Sequence, residues 1–528
     1  MLDLLVENPL LTLFVVIALG TVVGAVPLGP LRFGASGALF VGLLLGALDP
    51  RLGEGLAVVQ SIGLGLFVYT IGLAAGSSFF RDFRRQALLM LGAVALLGGY
   101  AMLVVGAGKL VGMSAGLAGG LFAGTLSATP AVAAAQQALN DPIEPAVGFA
   151  ITYPLAILLG MVAVSVVTRF RLPARRDPDR AGSARLVTRT VELHQDIAVE
   201  DVPGIAEIPS KAGGEVRISY HWRDGHMKVA RPDELLRAGD RVLLVGTPDG
   251  VAHAASLIGH EVREHLMHDR RAVDFRRYVV SNPRIAGRTV AELAVPDRFD
   301  GLITRIRRGD QELLAHAEMK LQLGDRVRVV APAERLDELT GLFGDSERKV
   351  TEVDFWTVGL GIALGVALGM VTITLGFGQI ALGSAAGPLI VGLLLGWVDR
   401  TGPFVWTMPS AANLTIRQLG LVLFLATMGL ASGPAFASRA FSWEGLRLGA
   451  TAVAVLGLLL VLFWLLGWAV GHSTARVAGA MAGLVGQPAV LNHVNSLIDD
   501  DRAESGYTAL FAIGFIAKIV LVQLVVSF

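Results

Sequence analysis

Two stretches of this sequence that begin 350 residues apart are almost the same: Gly37-Ala-Leu-Phe-Val-Gly-Leu-Leu-Leu-Gly46 and Gly387-Pro-Leu-Ile-Val-Gly-Leu-Leu-Leu-Gly396. Two further pairs of segments match in the same order, at offsets of 357 and 358 residues: Ile62–Leu73 with Leu419–Leu430, and Thr129-Pro-Ala131 with Gln487-Pro-Ala489. Chance similarity between leucine-rich segments rarely preserves both order and spacing. The sequence therefore predicts an apolar half that occurs twice.

Charged residues are concentrated between the two apolar halves. Only 17% of the 528 residues are charged, whereas soluble proteins average about 25%. Residues 169–354 hold 31 of the 44 Lys and Arg residues and 31 of the 44 Asp and Glu residues. The pattern predicts an integral membrane protein with a water-soluble insert. The zero net charge excludes a globally basic nucleic-acid-binding protein, and the absence of cysteine excludes disulfides and thiolate chemistry.

Each half contains six apolar runs. A bilayer core about 30 Å thick needs roughly 20 apolar residues per helix. The runs cover about 9–28, 33–48, 56–76, 87–108, 115–139 and 146–168, and then about 355–376, 383–398, 414–432, 446–470, 475–497 and 507–527. Duplicated halves of this kind are typical of secondary transporters, which bind substrate at the repeat interface.

The placement of arginines orients the first half. Five of them follow the sixth run and predict that residues 169–354 are cytoplasmic: Arg169, Arg171, Arg175, Arg176 and Arg180. Arg81, Arg84 and Arg85 predict another cytoplasmic loop at 80–86. Three runs lie between these loops, so one run cannot cross; the best candidate is 115–139. We therefore expect a polytopic α-helical membrane protein in the bacterial inner membrane, with two inverted-repeat halves of about five spans plus a broken or re-entrant segment each.

Proline interrupts one run at the same position in each half. Pro130 follows Ser127-Ala-Thr129, and Pro488 follows Gln487. A helix that resumes after such a break has free N–H groups and a positive dipole end, which suit a carboxylate. The neutral hydrogen-bonding groups expected at the site are those of Ser127, Thr129, Gln487 and Asn492. The alternative is a pair of kinks that only shape packing.

Ionisable residues inside membrane segments are costly and are functional candidates. Lys518 lies within the last apolar run and could neutralise a bound carboxylate or pair within the bundle. Arg417 could do the same or act as an interfacial anchor. His493 is more often a hydrogen-bonded helix residue than a proton carrier. Tyr153, which precedes Pro154, could line the cavity, and the second half has no Tyr-Pro counterpart.

The sequence shows no catalytic or cofactor-binding motif. Its Gly-x-Gly segments lack the third glycine of a dinucleotide fingerprint, and no Ser-His-Asp pattern or metal-ligand cluster is present. We therefore expect neither an enzyme nor a cofactor or metal.

The charged insert also repeats. Leu236-Arg-Ala-Gly-Asp-Arg-Val-Leu-Leu-Val245 resembles Leu321-Gln-Leu-Gly-Asp-Arg-Val-Arg-Val-Val330, 85 residues later. Alternating apolar residues around Gly-Asp turns predict small α/β units. The expected boundaries are a first membrane half over 1–168, an Arg-rich linker over 169–185, modules over 186–263 and 272–346, and a second membrane half over 355–528.

Taken in order, these features resemble the aspartate–alanine exchanger family of bacterial transporters, with two TrkA-C-like (RCK C-terminal) modules between the membrane halves. The resemblance rests on the motifs above and on Tyr153-Pro154, Pro409-Ser-Ala-Ala-Asn413, Arg417-Gln-Leu-Gly420 and Lys518-Ile-Val-Leu-Val-Gln523. It implies a secondary carrier, an exchanger and homodimer, for small carboxylates or amino acids. It also implies that the modules are regulatory and bind a small ligand, while no NAD or ATP site is implied.

The predicted function is exchange of a small anionic or zwitterionic substrate across a lipid membrane. The substrate is expected between the two broken segments, with Lys518 or Arg417 offsetting its charge. A ligand-gated ion channel is the alternative suggested by TrkA-C-like modules, although no selectivity-filter loop is visible. A membrane-anchored receptor or enzyme is a third possibility, which the absence of a catalytic pattern disfavours.

Overall fold

The first apolar half forms helices whose starts are set by proline and serine. The computed structural model describes residues 2–26, 34–177, 186–202, 216–224, 226–230, 234–262, 273–308, 311–346, 353–375, 378–381, 383–498, 500 and 502–528. The helices of the first half are α1 (Leu2–Glu7), α2 (Pro9–Ala25), α3 (Gly37–Leu48), α4 (Ala57–Val111), α5 (Ala115–Thr125), α6 (Thr129–Leu139) and α7 (Glu144–Val167). Proline occupies the first turn of α2, α6 and α7, where its missing N–H has no intrahelical partner to lose. The Ser114 hydroxyl caps α5 by accepting the Leu117 N–H at 3.2 Å.

Helix α4 continues through the segment where the sequence predicted a loop. Residues 80–86 are helical, so that prediction is wrong for the backbone. The reason is local, because residues 77–91 contain neither glycine nor proline to end a helix. The side chains of Arg81, Arg84 and Arg85 lie outside the described part of the chain.

The insert folds into two α/β modules. The first contains β1 (Val187–Leu193), β2 (Ile197–Ala198), β3 (Val216–Arg223), β4 (His226–Val229), β5 (Leu235–Leu236), β6 (Arg241–Gly246), α8 (Pro248–Ile258) and β7 (Gly259–Glu261); the second contains β8 (Val273–Val279), α9 (Val295–Phe299), β9 (Leu302–Arg308), β10 (Gln311–Leu314), β11 (Arg326–Pro332) and α10 (Leu336–Phe343). Their sheets have the orders β4-β3-β6-β1-β7 and β10-β9-β11-β8, with antiparallel neighbours. Strands β4, β3, β6 and β1 of the first sheet correspond in order to β10, β9, β11 and β8 of the second sheet. The two modules therefore share a topology.

The repeated Gly-Asp-Arg turns make the same contacts in both modules. Asp240 accepts from Arg223 Nε at 2.9 Å and from a backbone N–H three residues earlier at 2.7 Å. Asp325 accepts from Arg308 Nε at 2.9 Å and from the corresponding N–H at 2.8 Å. Burial raises the pKa of Asp240, but the hydrogen bonds to its carboxylate outweigh burial and hold that pKa below its usual range. Each aspartate therefore ties its turn to the end of an earlier strand, β3 in the first module and β9 in the second.

The second apolar half repeats the first helix by helix. It contains α11 (Phe355–Gly369), the hairpin β12 (Thr372–Leu375) and β13 (Gly378–Ala381), α12 (Gly383–Val398), the hairpin β14 (Arg400–Thr401) and β15 (Phe404–Val405), α13 (Ser410–Arg439), α14 (Trp443–Val470), α15 (Thr474–Val485), α16 (Pro488–Leu497) and α17 (Arg502–Ser527). Helices α13 and α14 correspond to the two parts of α4. Here a break is present, because the Ser442 hydroxyl caps α14 by accepting the Gly445 N–H at 3.3 Å.

The two halves contact each other through equivalent glycines. A Cβ atom placed on Gly46 of α3 would lie 2.2 Å from a carbonyl oxygen of α13, and one placed on Gly396 of α12 would lie 2.2 Å from a carbonyl oxygen of α4. A Cβ atom on Gly63 would lie 2.8 Å from the Gly420 oxygen, and one on Gly420 would lie 2.6 Å from the Gly63 oxygen. Small residues allow such close backbone approach between membrane helices. The segments that opened the sequence analysis thus form the interface between the repeats.

The directions of these helices show that the repeats are inverted. Residues 39–43 of α3 contact Gly429 and residues 43–47 contact Gly433, so α3 runs parallel to α13. By the equivalent contacts, α12 runs parallel to α4.

The first part of α4 runs antiparallel to α13. Gly63 lies beside Phe424, whereas Asn413 Nδ2 donates to the Thr70 oxygen at 3.0 Å. Helix α3 and its counterpart α12 therefore run in opposite directions, as do α4 and α13.

Within the described residues, six helical segments are long and apolar enough to cross a membrane: Ala57–Gly76, Ala87–Val111, Glu144–Val167, Ser410–Arg439, Trp443–Val470 and Arg502–Ser527. Six shorter apolar helices accompany them, three in each half. The chain forms two compact units, one of Met1–Asp179, Phe355–Val398 and Asn413–Phe528, and another of Arg180–Asp354 with Asp399–Ala412. The segment Asp399–Ala412, which the sequence boundaries assign to the second membrane half, thus packs with the modules.

Candidate functional site

The break in the first half is stabilised by a lysine from the second half. Helix α5 ends at Thr125 and α6 begins at Thr129. Pro130 has no N–H to donate to the Leu126 carbonyl four residues earlier, which would leave that carbonyl without its helical partner. Lys518 Nζ, on α17, donates to the Leu126 oxygen at 2.9 Å. The Lys518 side chain is fully buried.

Ser127 has an unusual backbone and an unpartnered hydroxyl at this break. Its φ is +48°, a left-handed conformation that non-glycine residues rarely adopt. Its Oγ is buried and has no hydrogen-bond partner among the described residues. Strained residues and unpaired buried polar groups are both concentrated at functional sites.

The break in the second half meets the first break at Lys518. Helix α15 ends in Gly486, whose φ is +86°, and α16 begins at Pro488 after Gln487. A Cβ atom placed on Gly486 would lie 3.1 Å from Lys518 Nζ and 3.2 Å from the Leu126 oxygen. The two breaks predicted from the sequence are therefore neighbours in space.

Tyr153 connects the second break to the first half. Gln487 Nε2 donates to the Tyr153 hydroxyl oxygen at 2.8 Å. The same hydroxyl lies 2.7 Å from Ser36 Oγ, at the start of α3. The Tyr153 ring stacks on Phe149 with centroids 5.2 Å apart, which fixes its orientation. Each break thus receives a polar side chain from the last helix of the opposite half: Lys518 at the first and Tyr153 at the second.

The first break has a positively charged side chain beside it without a matching negative charge among the described residues. Lys518 makes no ion pair with any carboxylate among the described residues, and its described neighbours are the Leu126 carbonyl and the Phe515 ring, 5.5 Å from Nζ. A buried charge without an opposite charge is costly. The arrangement can therefore accept an anion beside Lys518, together with neutral groups from Ser127, Tyr153 and Gln487.

The structure brings some predicted site residues together and separates others. Thr129 and Pro130 are buried at the first break, next to the residues above. Pro488 and Asn492 lie one helical turn apart on an exposed face of α16. Arg417 is half-buried on α13 and makes no ion pair within the described chain. Roles for these residues in binding remain predictions.

Three features near the breaks were not assigned from the sequence. His493 Nε2 lies 2.7 Å from Ser165 Oγ, a contact between α16 and α7. Ser36 joins the Tyr153 network from 117 residues away, and no local pattern marks it. Gly486 has a left-handed φ, as Ser127 does at the first break, but the 358-residue offset aligns it with Ala128, so comparing the repeats does not reveal it.

The amino-acid sequence matches known proteins over its whole length. Residues 12–169 and 357–527 match the Asp-Al_Ex family, described as a predicted permease membrane region, and residues 275–344 match the TrkA-C domain. An uncharacterized transporter of Cutibacterium acnes is 44% identical over 99% of this chain and 99% of its own length. Uncharacterized transporters of Geobacter sulfurreducens and Corynebacterium glutamicum are 36% and 35% identical, over 100% and 98% of both proteins. This confirms the resemblance drawn from the motifs, and the chain belongs to the Asp-Al_Ex family of multi-pass membrane permeases, with a TrkA-C domain between the two parts of its membrane region.

Proposed function

We propose that this protein is a secondary transporter, an antiporter that exchanges small carboxylates or amino acids across the bacterial inner membrane. The substrate binds between the two broken segments, next to Lys518. The observation that carries this proposal is the meeting of both breaks at one buried lysine, which has no carboxylate partner among the described residues.

The charge at the site supports an anionic or zwitterionic substrate. A substrate carboxylate beside Lys518 would supply the opposite charge that the described residues lack. Ser127 Oγ, free of protein partners among those residues, and the first-turn N–H groups of α6 and α16 would donate hydrogen bonds to the carboxylate oxygens. We propose Arg417, which is half-buried on α13, as a second cation for the substrate, and Thr129 adds a hydroxyl beside the first break.

The inverted repeat supports alternating access. In such transporters one part of each repeat moves against the rest around a fixed site. The Gly-mediated contacts of α3 and α4 with α12 and α13 form a close-packed interface that suits the stationary part, whereas α5–α7 and α15–α17 contain the breaks. We also propose a homodimer, with residues 169–354 cytoplasmic and regulatory.

The proposal is tested by reconstitution of the purified protein into liposomes. Vesicles loaded with unlabelled aspartate, alanine, succinate or another dicarboxylate are given the labelled compound outside. We expect exchange with at least one of them that depends on the internal substrate. No exchange or uptake with any member of the panel would contradict the carboxylate proposal, and single-channel currents too large for carrier turnover would favour a ligand-gated channel instead.

A further inference from the structure

The second module contains a cavity whose wall is rich in arginine. Its volume is about 410 Å³, and its lining includes Asn282, Arg284, Arg288, Arg298 and Glu338. The apolar side chains of Ile285, Phe299 and Leu342 complete the wall. This volume lies in the range of small-molecule sites, which combine an apolar lining with a few converging polar groups.

The three arginines of the cavity lack carboxylate partners in the described structure. Arg284, Arg288 and Arg298 are exposed, and none of them makes an ion pair or a side-chain hydrogen bond with a described residue. The one acidic lining residue, Glu338, is already bound to Arg335 at 3.0 Å.

Other arginines of the same module do have carboxylate partners. Arg276 binds Asp337 at 2.8 Å and Arg308 binds Asp325 at 2.7 Å. The three arginines of the cavity wall differ from these two in having no such partner in the described structure.

Guanidinium groups in this number favour a polyanion. Each guanidinium can donate two parallel hydrogen bonds to a phosphate or carboxylate group. Three of them match a phosphate group, which carries nearly two negative charges, better than they match a single carboxylate. The Phe299 ring and its apolar neighbours would contact an organic part of the ligand.

Residues at the wall of the cavity also form hydrogen bonds with the segment that joins α12 to α13. Arg400 Nη1 donates to the carbonyl oxygens of Pro283, Arg284 and Ala286 at 3.3, 2.8 and 3.3 Å. The preceding residue, Asp399, is 5% exposed and accepts from Lys320 Nζ at 3.2 Å. Residues 282–288 therefore contact both the cavity and Asp399–Ala412.

We propose that this cavity binds a small phosphate-bearing molecule and that its occupancy regulates transport through the contacts of Arg400. A ligand that draws Arg284 and Arg288 together would shift the carbonyl oxygens that Arg400 holds, and with them the segment between the two membrane helices. The regulatory part of this proposal rests on the proposed transport function, whereas the binding part does not.

Binding is measured on the full chain in neutral detergent by isothermal titration calorimetry, with inorganic pyrophosphate, adenosine monophosphate and succinate as probes. We expect a phosphate probe to bind, with affinity reduced at least tenfold in Arg288→Ala/Arg298→Ala and unchanged in Arg276→Ala, an arginine of the same module that has a carboxylate partner. Thermal unfolding of each variant shows whether it is folded. If no phosphate probe binds the wild type, if succinate binds as well as they do, or if Arg276→Ala loses as much affinity as the double variant, the site is refuted.

Regulation is measured separately as exchange in proteoliposomes with and without the bound probe on the module side. We expect the probe to change the exchange rate of the wild type at least twofold and to leave that of Arg288→Ala/Arg298→Ala unchanged. A probe that binds but does not alter exchange refutes the regulatory part alone. A protein that binds the probe but exchanges no substrate contradicts the transport proposal and leaves the cavity site standing.

Discussion

The two membrane halves have the same sequence of helices but different polar residues at their breaks. Lys518 of the second half has Gly160 at its repeat position, 358 residues earlier, and Tyr153 of the first half has Phe511. The first break therefore receives a cation and the second a neutral hydroxyl. If the substrate binds between the breaks as proposed, this difference favours a single orientation, with the substrate carboxylate towards Lys518.

The loops that follow α3 and α12 differ in the same way. In the first half, Asp49 accepts from Arg51 at 2.7 Å within its own loop. In the second half, the equivalent Asp399 pairs with Lys320 and the next residue, Arg400, binds the second module. One copy of the loop makes its contacts within itself, and the other binds the second module.

The largest effect is expected from removing the cation. Lys518→Met keeps the side-chain length but removes the charge, and a charge-assisted hydrogen bond contributes about 1.5–3 kcal/mol, which corresponds to a loss of roughly tenfold to a hundredfold in exchange rate. Lys109→Met is the control, because Lys109 is exposed at the end of α4 and its removal should leave exchange unchanged. Equal rates for the two variants would show that Lys518 has no part in binding.

An effect on folding stability, rather than on exchange, is expected from crowding the point where the breaks meet. Gly486→Ala combines a left-handed φ with a Cβ atom 3.1 Å from Lys518 Nζ, whereas Gly112→Ala has a similar φ of +71° and nothing within 4 Å of its Cβ atom. Backbone strain should lower the free energy of unfolding of both variants by about 1–2 kcal/mol. Overpacking should lower that of Gly486→Ala by about 1–3 kcal/mol more. Thermal unfolding in detergent measures the difference. If both variants unfold at the same temperature, the breaks do not meet as described.

The comparison of the two loops predicts that removing Arg400 costs more stability than removing Arg51. Arg400→Ala removes a cation that binds three carbonyl oxygens, and should cost about 1.5–3 kcal/mol, seen as amide hydrogen exchange at least about tenfold faster over residues 282–288. Arg51→Ala removes an ion pair whose arginine side chain is 57% exposed, and such pairs contribute about 0–1 kcal/mol. If amide hydrogen exchange over residues 282–288 is unchanged in Arg400→Ala, the coupling of this loop to the module is refuted.

The smallest effect is expected from the second break. Tyr153→Phe removes a hydroxyl bonded to Ser36 and Gln487. The bond to Gln487, which is the one at the break, contributes about 1 kcal/mol, so exchange should fall roughly fivefold. Tyr69→Phe is the matched control, because the Tyr69 hydroxyl is buried without a partner among the described residues and its loss should be neutral. A larger loss in Tyr69→Phe than in Tyr153→Phe would contradict the assignment.

The sequence predicts those features that depend on composition and repetition. The duplicated halves, the two proline breaks and the paired Gly-Asp-Arg turns all follow from patterns that recur at fixed offsets, because each repeat must bury the same face. The importance of Lys518 also follows from the sequence, because a lysine within an apolar membrane segment is energetically costly and is therefore a functional candidate.

The features that the sequence does not predict depend on contacts between distant segments. The Ser36 contact with Tyr153 requires α3 to begin beside α7, and nothing in either segment specifies that. The continuous α4 was missed because three arginines suggested a loop, whereas helix propensity alone decides the backbone there. Asn492 is close to Gln487 in sequence, but helical periodicity turns it to the exposed face of α16.

The central claim is that substrate occupies the space between the two breaks, and the natural absence of cysteine allows a direct test. Ser127→Cys in proteoliposomes is labelled with a small thiol-specific reagent, with and without a saturating concentration of a transported carboxylate, beside Ser256→Cys as a control that is exposed on α8 of the first module. We predict that the substrate slows labelling at residue 127 at least tenfold and leaves residue 256 unaffected. Labelling of residue 127 at the same rate with and without substrate would contradict the account.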